Sequence, residues 1–278
     1  MKNYAINFIN QSQKITLKPP LTPLTINILF CYSNKVLNET YLDHNQIMND
    51  NNSLCNFTMD ILNQNSILYD INIVNVCTIE VDDLQNTPAS WSFPTSSIAL
   101  LNSYVQGNLL QVNDLKELFN ATVVVFETFF TSDISDVTAI SYKIGITSAN
   151  EACLCLCRSL VTVEKDTVDI LPLILAHELG HLMGCRHPVG QLTNFESRYA
   201  GSYGHGILKN PRVPYDKIHN PFKYGDIMSY SNNRVYYYSN PTRFPYPEPY
   251  QDIAGGVVGV SEAYKIVEEN LPKLAGIF

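Results

Sequence analysis

The chain contains an H-E-x-x-H-x-x-G-x-x-H sequence, and this spacing restricts its fold more than any other feature. On a helix, His177 and His181 lie one turn apart on the same face, so their imidazoles can bind one zinc ion. Gly184 can take the left-handed conformation that ends a helix, which would bring His187 back as a third ligand. Three protein nitrogens leave a fourth position open, as in catalytic zinc sites. Glu178 follows the first ligand and can reach a water molecule in that position.

Two other interpretations compete with a catalytic zinc site. A core helix could hold these histidines by chance, but three of the 6 histidines in 278 residues fall within this one motif. The full pattern is expected by chance in on the order of 10⁻⁵ of chains of this size. A purely structural zinc site would fill all four positions with protein ligands. The open position and the adjacent Glu178 therefore favour a catalytic site.

Composition limits the partners and the location. A net charge of −8 argues against nucleic acid or an anionic membrane surface as a partner. The sequence has no uninterrupted apolar run of about 18 residues, so we expect no membrane insertion. The N-terminal residues lack the apolar stretch of a secretory signal peptide. We expect a monomer that is secreted or host-delivered without an evident N-terminal signal peptide, with a cytoplasmic location as the alternative.

The cysteines do not form a recognisable framework. There are 7, an odd number, and their spacing is not that of a disulfide-rich domain. Cys153, Cys155 and Cys157 alternate without a C-x-x-C pair, so we interpret them as small buried residues rather than metal ligands. Cys185 lies between two predicted ligands, but the three-histidine set is complete without it. Any disulfide pairing is left open by the sequence.

Apolar patterns predict the order of strands and helices. Predicted strands are short β-branched or alternating runs at residues 24–32, 67–79, 121–127, 139–144 and 152–163. Predicted helical segments lie in the latter part of 47–62, in two pieces within 96–119, from 166–169 to 184, and at 261–271. The strand at 152–163, just before the zinc-binding helix, is expected to be the sheet edge that pairs with an extended peptide substrate.

These elements predict one α/β (α+β) catalytic domain at residues 23–278, preceded by a short N-terminal extension at residues 1–22. Residues 23–187 would form an upper lobe with a twisted mixed sheet and helices, including the zinc-binding helix. Beyond His187 the sequence becomes rich in Gly, Pro, Tyr and Asn and loses its periodicity. Residues 188–278 would therefore form a mostly irregular lower lobe with a C-terminal helix, and the zinc ion would lie between the lobes.

The zinc motif resembles that of the metzincin metallopeptidases, and Y-G-D-I-M-S-Y at residues 224–230 resembles the methionine turn of that family. Within the family, the chain is most similar to bacterial reprolysin-like proteins. Three further stretches carry this similarity: Y-G-H-G at 203–206, Y-S-N-P at 238–241 and the close of the chain from 254 to 275. Pro188 and the Met-Ser-Tyr of the turn are more similar to the serralysin branch. The resemblance covers the chain beyond its N-terminal extension.

The resemblance implies a metzincin-like fold and a zinc-dependent endopeptidase that hydrolyses peptide bonds of protein or peptide substrates. One catalytic Zn²⁺ would be bound by His177, His181 and His187. Glu178 would act as the general base toward a zinc-activated water and would then deliver the proton to the leaving amine.

The methionine turn adds two residues to the predicted site. Met228 would pack beneath the zinc ligands without binding the metal. Tyr230 would approach the zinc and stabilise the oxyanion, as a tyrosine at this offset does in the astacin and serralysin branches. The alternative for Tyr230 is an ordinary buried aromatic residue whose hydroxyl finds a partner.

Two biological roles are compatible with this site. The family habit implies a secreted or host-delivered virulence protease. The alternative is a toxin-like effector that uses a metzincin scaffold to bind a host partner, with proteolysis secondary. Glu178 favours an active enzyme, because a pseudoenzyme commonly loses its general base.

Overall fold

The structure is a computed structural model of the 278-residue chain. It describes residues 24–33, 44–63, 69–79, 114–130, 139–141, 145–159, 171–188, 208–209, 224–229, 233–234, 237–240 and 262–277. The predicted N-terminal extension lies outside these residues, as does the first predicted helical piece within 96–119. In the described part of the chain, no helix is long and apolar enough to cross a membrane.

A five-stranded sheet forms the centre of the described structure. Its strands are β1 (Leu24–Ser33), β2 (Tyr69–Ile79), β3 (Val123–Phe130), β4 (Ala139–Ser141) and β5 (Cys153–Ser159). They are ordered β2-β1-β3-β5-β4, with the first four parallel and β4 antiparallel to β5. The continuous apolar run of β3 is typical of a strand that is covered on both faces. The predicted mixed α/β architecture is confirmed, with a small parallel four-stranded sheet and one antiparallel edge.

The expected position of the substrate-pairing strand is wrong. The segment predicted as the sheet edge contains β5, which pairs with β3 on one side and with β4 on the other. The edge next to β5 is the short β4. The C-L-C-L-C sequence of β5 explains the difference, because it is apolar at every position, as expected for an interior strand rather than a half-exposed one.

The helices that the structure describes beside the sheet include α1 (His44–Asn63), α2 (Leu171–Met183) and α3 (Ala263–Leu274). Residues 114–119 are also helical, near the position predicted for the second piece within 96–119. The α3 residues that are buried lie three or four positions apart, which places one face of the helix on the core: Ala263, Val267, Leu271 and Leu274. α1, α2 and α3 each lie close to a predicted helix. The predicted start of α2, at 166–169, lies outside the described residues.

One hydrophobic core joins the sheet to α2. Alternate residues of β1, including Ile28 and Phe30, face this core, as do Leu175 and Leu179 of α2. Every described side chain of α2 from Leu173 to Met183 is buried, so the helix lies in the interior rather than on the surface. Burial on all sides makes α2 a rigid support for the histidines that it carries.

The described residues beyond 188 form short elements and α3. The strands β6 (Leu208–Lys209), β7 (Tyr224–Gly225) and β8 (Asn233–Arg234) make a small sheet in the order β6-β7-β8. The methionine-containing turn follows β7 directly. Since α3 packs against α2, the C-terminal part of the chain returns to the same core as the helix that carries His177 and His181.

Candidate metal centre

The end of α2 turns the chain so that His187 returns toward the helix. Gly184 has a φ of +109°, a backbone conformation in which a residue with a side chain would be strained. Its N–H donates to the carbonyl of His181 at 2.8 Å, and the N–H of Cys185 donates to the carbonyl of Gly180 at 2.9 Å. These bonds satisfy carbonyls that a helix end otherwise leaves open. The predicted role of the glycine in the turn therefore has a structural basis.

The segment between β4 and β5 also fixes this helix end. The N–H of Gly145 donates to the carbonyl of His181 and the N–H of Ile146 donates to that of Leu182, both at 2.9 Å. The last carbonyls of α2 thus bind backbone from the sheet side as well as from the turn. This double attachment fixes the position of His181 relative to the sheet edge.

The three histidines bring one ring nitrogen each to a common point. The Nε2 atoms of His177 and His181 are 3.0 Å apart, and each lies 3.2 Å from the Nε2 of His187. A tetrahedral ion held by nitrogens at 2.0–2.1 Å would set them about 3.3 Å apart. Among the His, Cys, Asp and Glu side chains of the described residues, these three histidines form the group that could hold a metal ion.

The other ring nitrogens show which atoms carry protons. Nδ1 of His177 donates to the carbonyl of Ile227 at 2.8 Å, and Nδ1 of His181 donates to the carbonyl of Cys185 at 2.9 Å. A carbonyl can only accept, and a neutral imidazole has one N–H, so both Nε2 atoms present lone pairs to the common point. Lone pairs facing one another at this distance repel unless a cation lies between them. The donor set therefore fits a metal ion.

All four motif side chains that carry the predicted chemistry are nearly buried. His177 and His187 are 5% exposed, and His181 and Glu178 are 6% exposed. Burial keeps these side chains away from bulk water, which strengthens the interaction of the ring nitrogens with a cation. Glu178 lies on α2 directly after the first histidine. Tyr230, the other predicted catalytic residue, lies outside the described residues.

The predicted methionine turn lies directly beneath α2, the helix that carries His177 and His181. Residues 226–229 are buried, and Met228 approaches α2 so closely that a Cβ added to Gly180 would lie 2.7 Å from the Met228 sulfur. The same Cβ would lie 2.9 Å from Cε1 of Tyr238. The hydroxyl of Tyr238 donates to the carbonyl of Ala176 at 2.7 Å. Gly180 is thus the position where α2 and the underlying side chains come together.

A buried aspartate that the sequence analysis did not select holds this turn. Asp226 is 0% exposed, and its Oδ1 accepts from the N–H of Met228 at 3.1 Å while its Oδ2 accepts from the N–H of Ser239 at 2.9 Å. The hydroxyl of Ser239 accepts in turn from the N–H of Ala263 at the start of α3. The sequence offered one indication of this role, which is that an acidic residue directly precedes the apolar pair Ile227-Met228. Acidic side chains are seldom buried without a partner, so a buried turn at this position predicts hydrogen bonds to Asp226.

Cys185 is buried beside this network rather than among the ligands. Its thiol donates to the carbonyl of Ala263 at 3.5 Å. Burial, and to a lesser extent the charge of Asp226, raises the pKa of Cys185 well above its ordinary value. The thiol is a buried packing group, and it is not part of the described group of side chains arranged to hold a metal ion.

Comparison with known proteins finds a similar fold among solved structures. No protein-family model matches the chain, and no curated protein matches it. Its fold is similar to part of a chain in a solved structure described as a chaperone–substrate complex, with a TM-score of 0.60 and 15% sequence identity. The similarity covers 92% of this chain and 36% of that one. At this identity the likeness concerns the fold alone.

Proposed function

We propose that this protein is a zinc-dependent endopeptidase with a metzincin-type catalytic site. The observation that carries the proposal is the convergence of three histidine Nε2 atoms at 3.0–3.2 Å, with Glu178 adjacent in the H-E-x-x-H helix. The position of Met228 under that helix supports the same assignment. A structural metal site would not need a buried carboxylate next to an open coordination position.

Zinc is the proposed ion because of its ligand preference. Three neutral imidazoles suit zinc, copper, iron and nickel, whereas calcium and magnesium prefer oxygen ligands. Three histidines with an open fourth position are typical of catalytic zinc. When bound, a zinc ion supplies Lewis-acid polarisation of a carbonyl and lowers the pKa of an attacking water.

The residues of the chain then have distinct roles. His177 and His181 orient their Nε2 lone pairs through the hydrogen bonds from Nδ1 to backbone carbonyls, which fixes the ring tautomers. Glu178 accepts the proton of the attacking water and later donates it to the leaving amine. Tyr230 is proposed to stabilise the developing oxyanion. The substrate is proposed to be a protein or peptide, and the enzyme to be secreted or host-delivered.

The test separates metal binding from proton transfer. Glu178→Gln removes the base but keeps the size of the side chain, so bound zinc, measured by plasma mass spectrometry, should equal that of the wild type. Cleavage of an unfolded protein substrate should fall by about 10²–10⁴-fold. Glu268→Gln makes the same change on an exposed face of α3 and should leave cleavage unchanged. Cleavage by Glu178→Gln at the wild-type rate would rule out the assigned role.

A chelator arm distinguishes the remaining hypotheses. If the protein is an effector that binds a host partner with proteolysis secondary, the wild type will bind zinc yet cleave no faster than Glu178→Gln. If the site is purely structural, removing zinc with a chelator will unfold the protein. Any cleavage activity will then be lost only together with the folded state, and not at a lower chelator concentration. Zinc-dependent cleavage that returns on adding the ion is the outcome that supports an endopeptidase.

A further inference from the structure

Two cysteines that are not part of the histidine triad lie side by side in the central sheet. Cys31 of β1 and Cys77 of β2 are partners in the parallel register, although 46 residues separate them along the chain. Their sulfur atoms are 3.5 Å apart. Cys31 lies on the face of β1 opposite Phe30 and Tyr32, which face the main core. The pair is therefore separate from the packing around α2.

The backbone spacing suits a covalent link between these residues. Neighbouring strands lie about 4.7–4.9 Å apart, and the Cα atoms of a disulfide are usually about 4.4–6.8 Å apart. The sulfurs need to approach by roughly 1.5 Å to reach the disulfide bond length of about 2.05 Å. Rotation of the two side chains can supply that approach without a change of register.

The two thiols also differ in access and in acidity. Cys31 is fully buried, whereas Cys77 is partly exposed on the strand at the sheet edge. The hydrogen bond between them lowers the pKa of Cys77, and together with burial it raises the pKa of the Cys31 thiol. The sulfur that solvent can reach is thus the one that ionises first, and the buried thiol is its neighbour.

We propose that Cys31 and Cys77 form a reversible disulfide when the protein meets a low-molecular-weight disulfide such as oxidised glutathione. The Cys77 thiolate attacks the reagent and forms a mixed disulfide, releasing one reduced thiol. Cys31 then attacks the Cys77 sulfur, which forms the Cys31–Cys77 bond and releases the second reduced thiol. Both protein thiol protons pass to the two released thiolates, so one equivalent of the reagent is reduced by the pair.

The link would pin the edge strand β2 to the sheet interior. It closes a loop whose ends are 46 residues apart, which in the chain-entropy account lowers the unfolding equilibrium constant by on the order of 10²–10³-fold. For a chain of this size we expect a rise in Tm of about 5–10 °C on oxidation. The thiol pair thus makes stability depend on the redox state of the surroundings, independently of the proposed peptidase activity.

The experiment uses the zinc-loaded full chain in glutathione buffers of graded oxidised-to-reduced ratio. Free thiols are alkylated, the protein is digested, and linked peptides are identified by mass spectrometry. The expected product joins the peptides of Cys31 and Cys77 and disappears with dithiothreitol. Tm is measured in parallel for the wild type, for Cys77→Ser, and for Cys55→Ser, a buried cysteine on α1 that serves as the matched control.

Oxidation should raise the Tm of the wild type and of Cys55→Ser and leave that of Cys77→Ser unchanged. A linked peptide that pairs either residue with a different cysteine would overturn the proposal. Full alkylation of Cys31 and Cys77 in the most oxidising buffer would do so as well, and this result needs no variant to fold. Zinc content and cleavage should be the same in Cys77→Ser as in the wild type, which keeps this test distinct from that of the active site.

Discussion

The carboxylate of Asp226 is predicted to control metal affinity from a position outside the ligand set. It is fully buried and accepts from the backbone N–H groups of Met228 and Ser239. Between these bonds lies Ile227, whose carbonyl accepts from Nδ1 of His177 at 2.8 Å. The carboxylate therefore fixes the turn whose carbonyl fixes the orientation of a ligand. Asp226→Asn keeps the shape of the side chain but replaces one acceptor oxygen by an NH₂ group. This group would face a backbone N–H, and because both are donors, one of the two hydrogen bonds is lost.

The cost can be worked out from these bonds. Losing one hydrogen bond to a buried charged group costs about 1.5–3 kcal/mol of stability. Loss of an outer-shell partner of a metal-binding histidine typically weakens metal binding by about 10–100-fold. We therefore expect Asp226→Asn to lower the free energy of unfolding by about 1.5–3 kcal/mol. We also expect it to weaken zinc binding by about 10–100-fold. Competition with a chromophoric chelator measures the affinity, and denaturant unfolding of the metal-free protein measures the stability.

Ser239→Ala is the matched control for Asp226→Asn. It removes the hydroxyl that accepts from Ala263 at 2.9 Å, and it leaves the carboxylate bonds of Asp226 and the bond between His177 and Ile227 intact. It should cost about 1–2 kcal/mol of stability with wild-type zinc affinity. If Asp226→Asn is destabilised but binds zinc as tightly as Ser239→Ala, the aspartate stabilises the fold without positioning His177, and the reasoning fails.

Two further predictions concern the underside of α2. Gly180→Ala places a methyl group 2.7 Å from the Met228 sulfur and 2.9 Å from the Tyr238 ring, so overpacking of about 1–3 kcal/mol should outweigh the better helix propensity of alanine; an unchanged midpoint in denaturant would contradict this. Tyr238→Phe removes the hydroxyl that donates to the carbonyl of Ala176. It should lower stability by about 0.5–1.5 kcal/mol and leave zinc affinity near that of the wild type, since the ring that packs on Gly180 remains. Calorimetric unfolding and chelator competition test the pair.

Local patterns in the sequence were enough to predict most of the described elements. The β-branched run of β3 and the apolar spacing of α2 and α3 depend on the backbone geometry of single segments, which neighbouring residues determine. The histidine triad belongs to the same class, because its ligands lie within eleven positions of one helix and its turn. Such features need no knowledge of what packs against them.

Strand order could not be predicted in the same way. β5 was expected at the sheet edge because it precedes α2, yet it lies inside the sheet with β4 on its outer side. Which strands become neighbours depends on crossovers and on the two faces that helices cover, and these are properties of the whole domain. The register of Cys31 with Cys77 has the same origin, which is why the sequence left the pairing of cysteines open.

The candidate metal centre combines both kinds of information. The motif supplies three imidazoles, but an imidazole binds a metal only through a nitrogen without a proton. For His177 that state is set by the carbonyl of Ile227, which is 50 residues away and is held by Asp226. A chain could keep every histidine of the motif and lose this hydrogen bond by a change in the turn. The motif therefore identifies the candidate ligands, whereas the buried turn beneath them determines whether the Nε2 atom of His177 carries the lone pair that binds a metal.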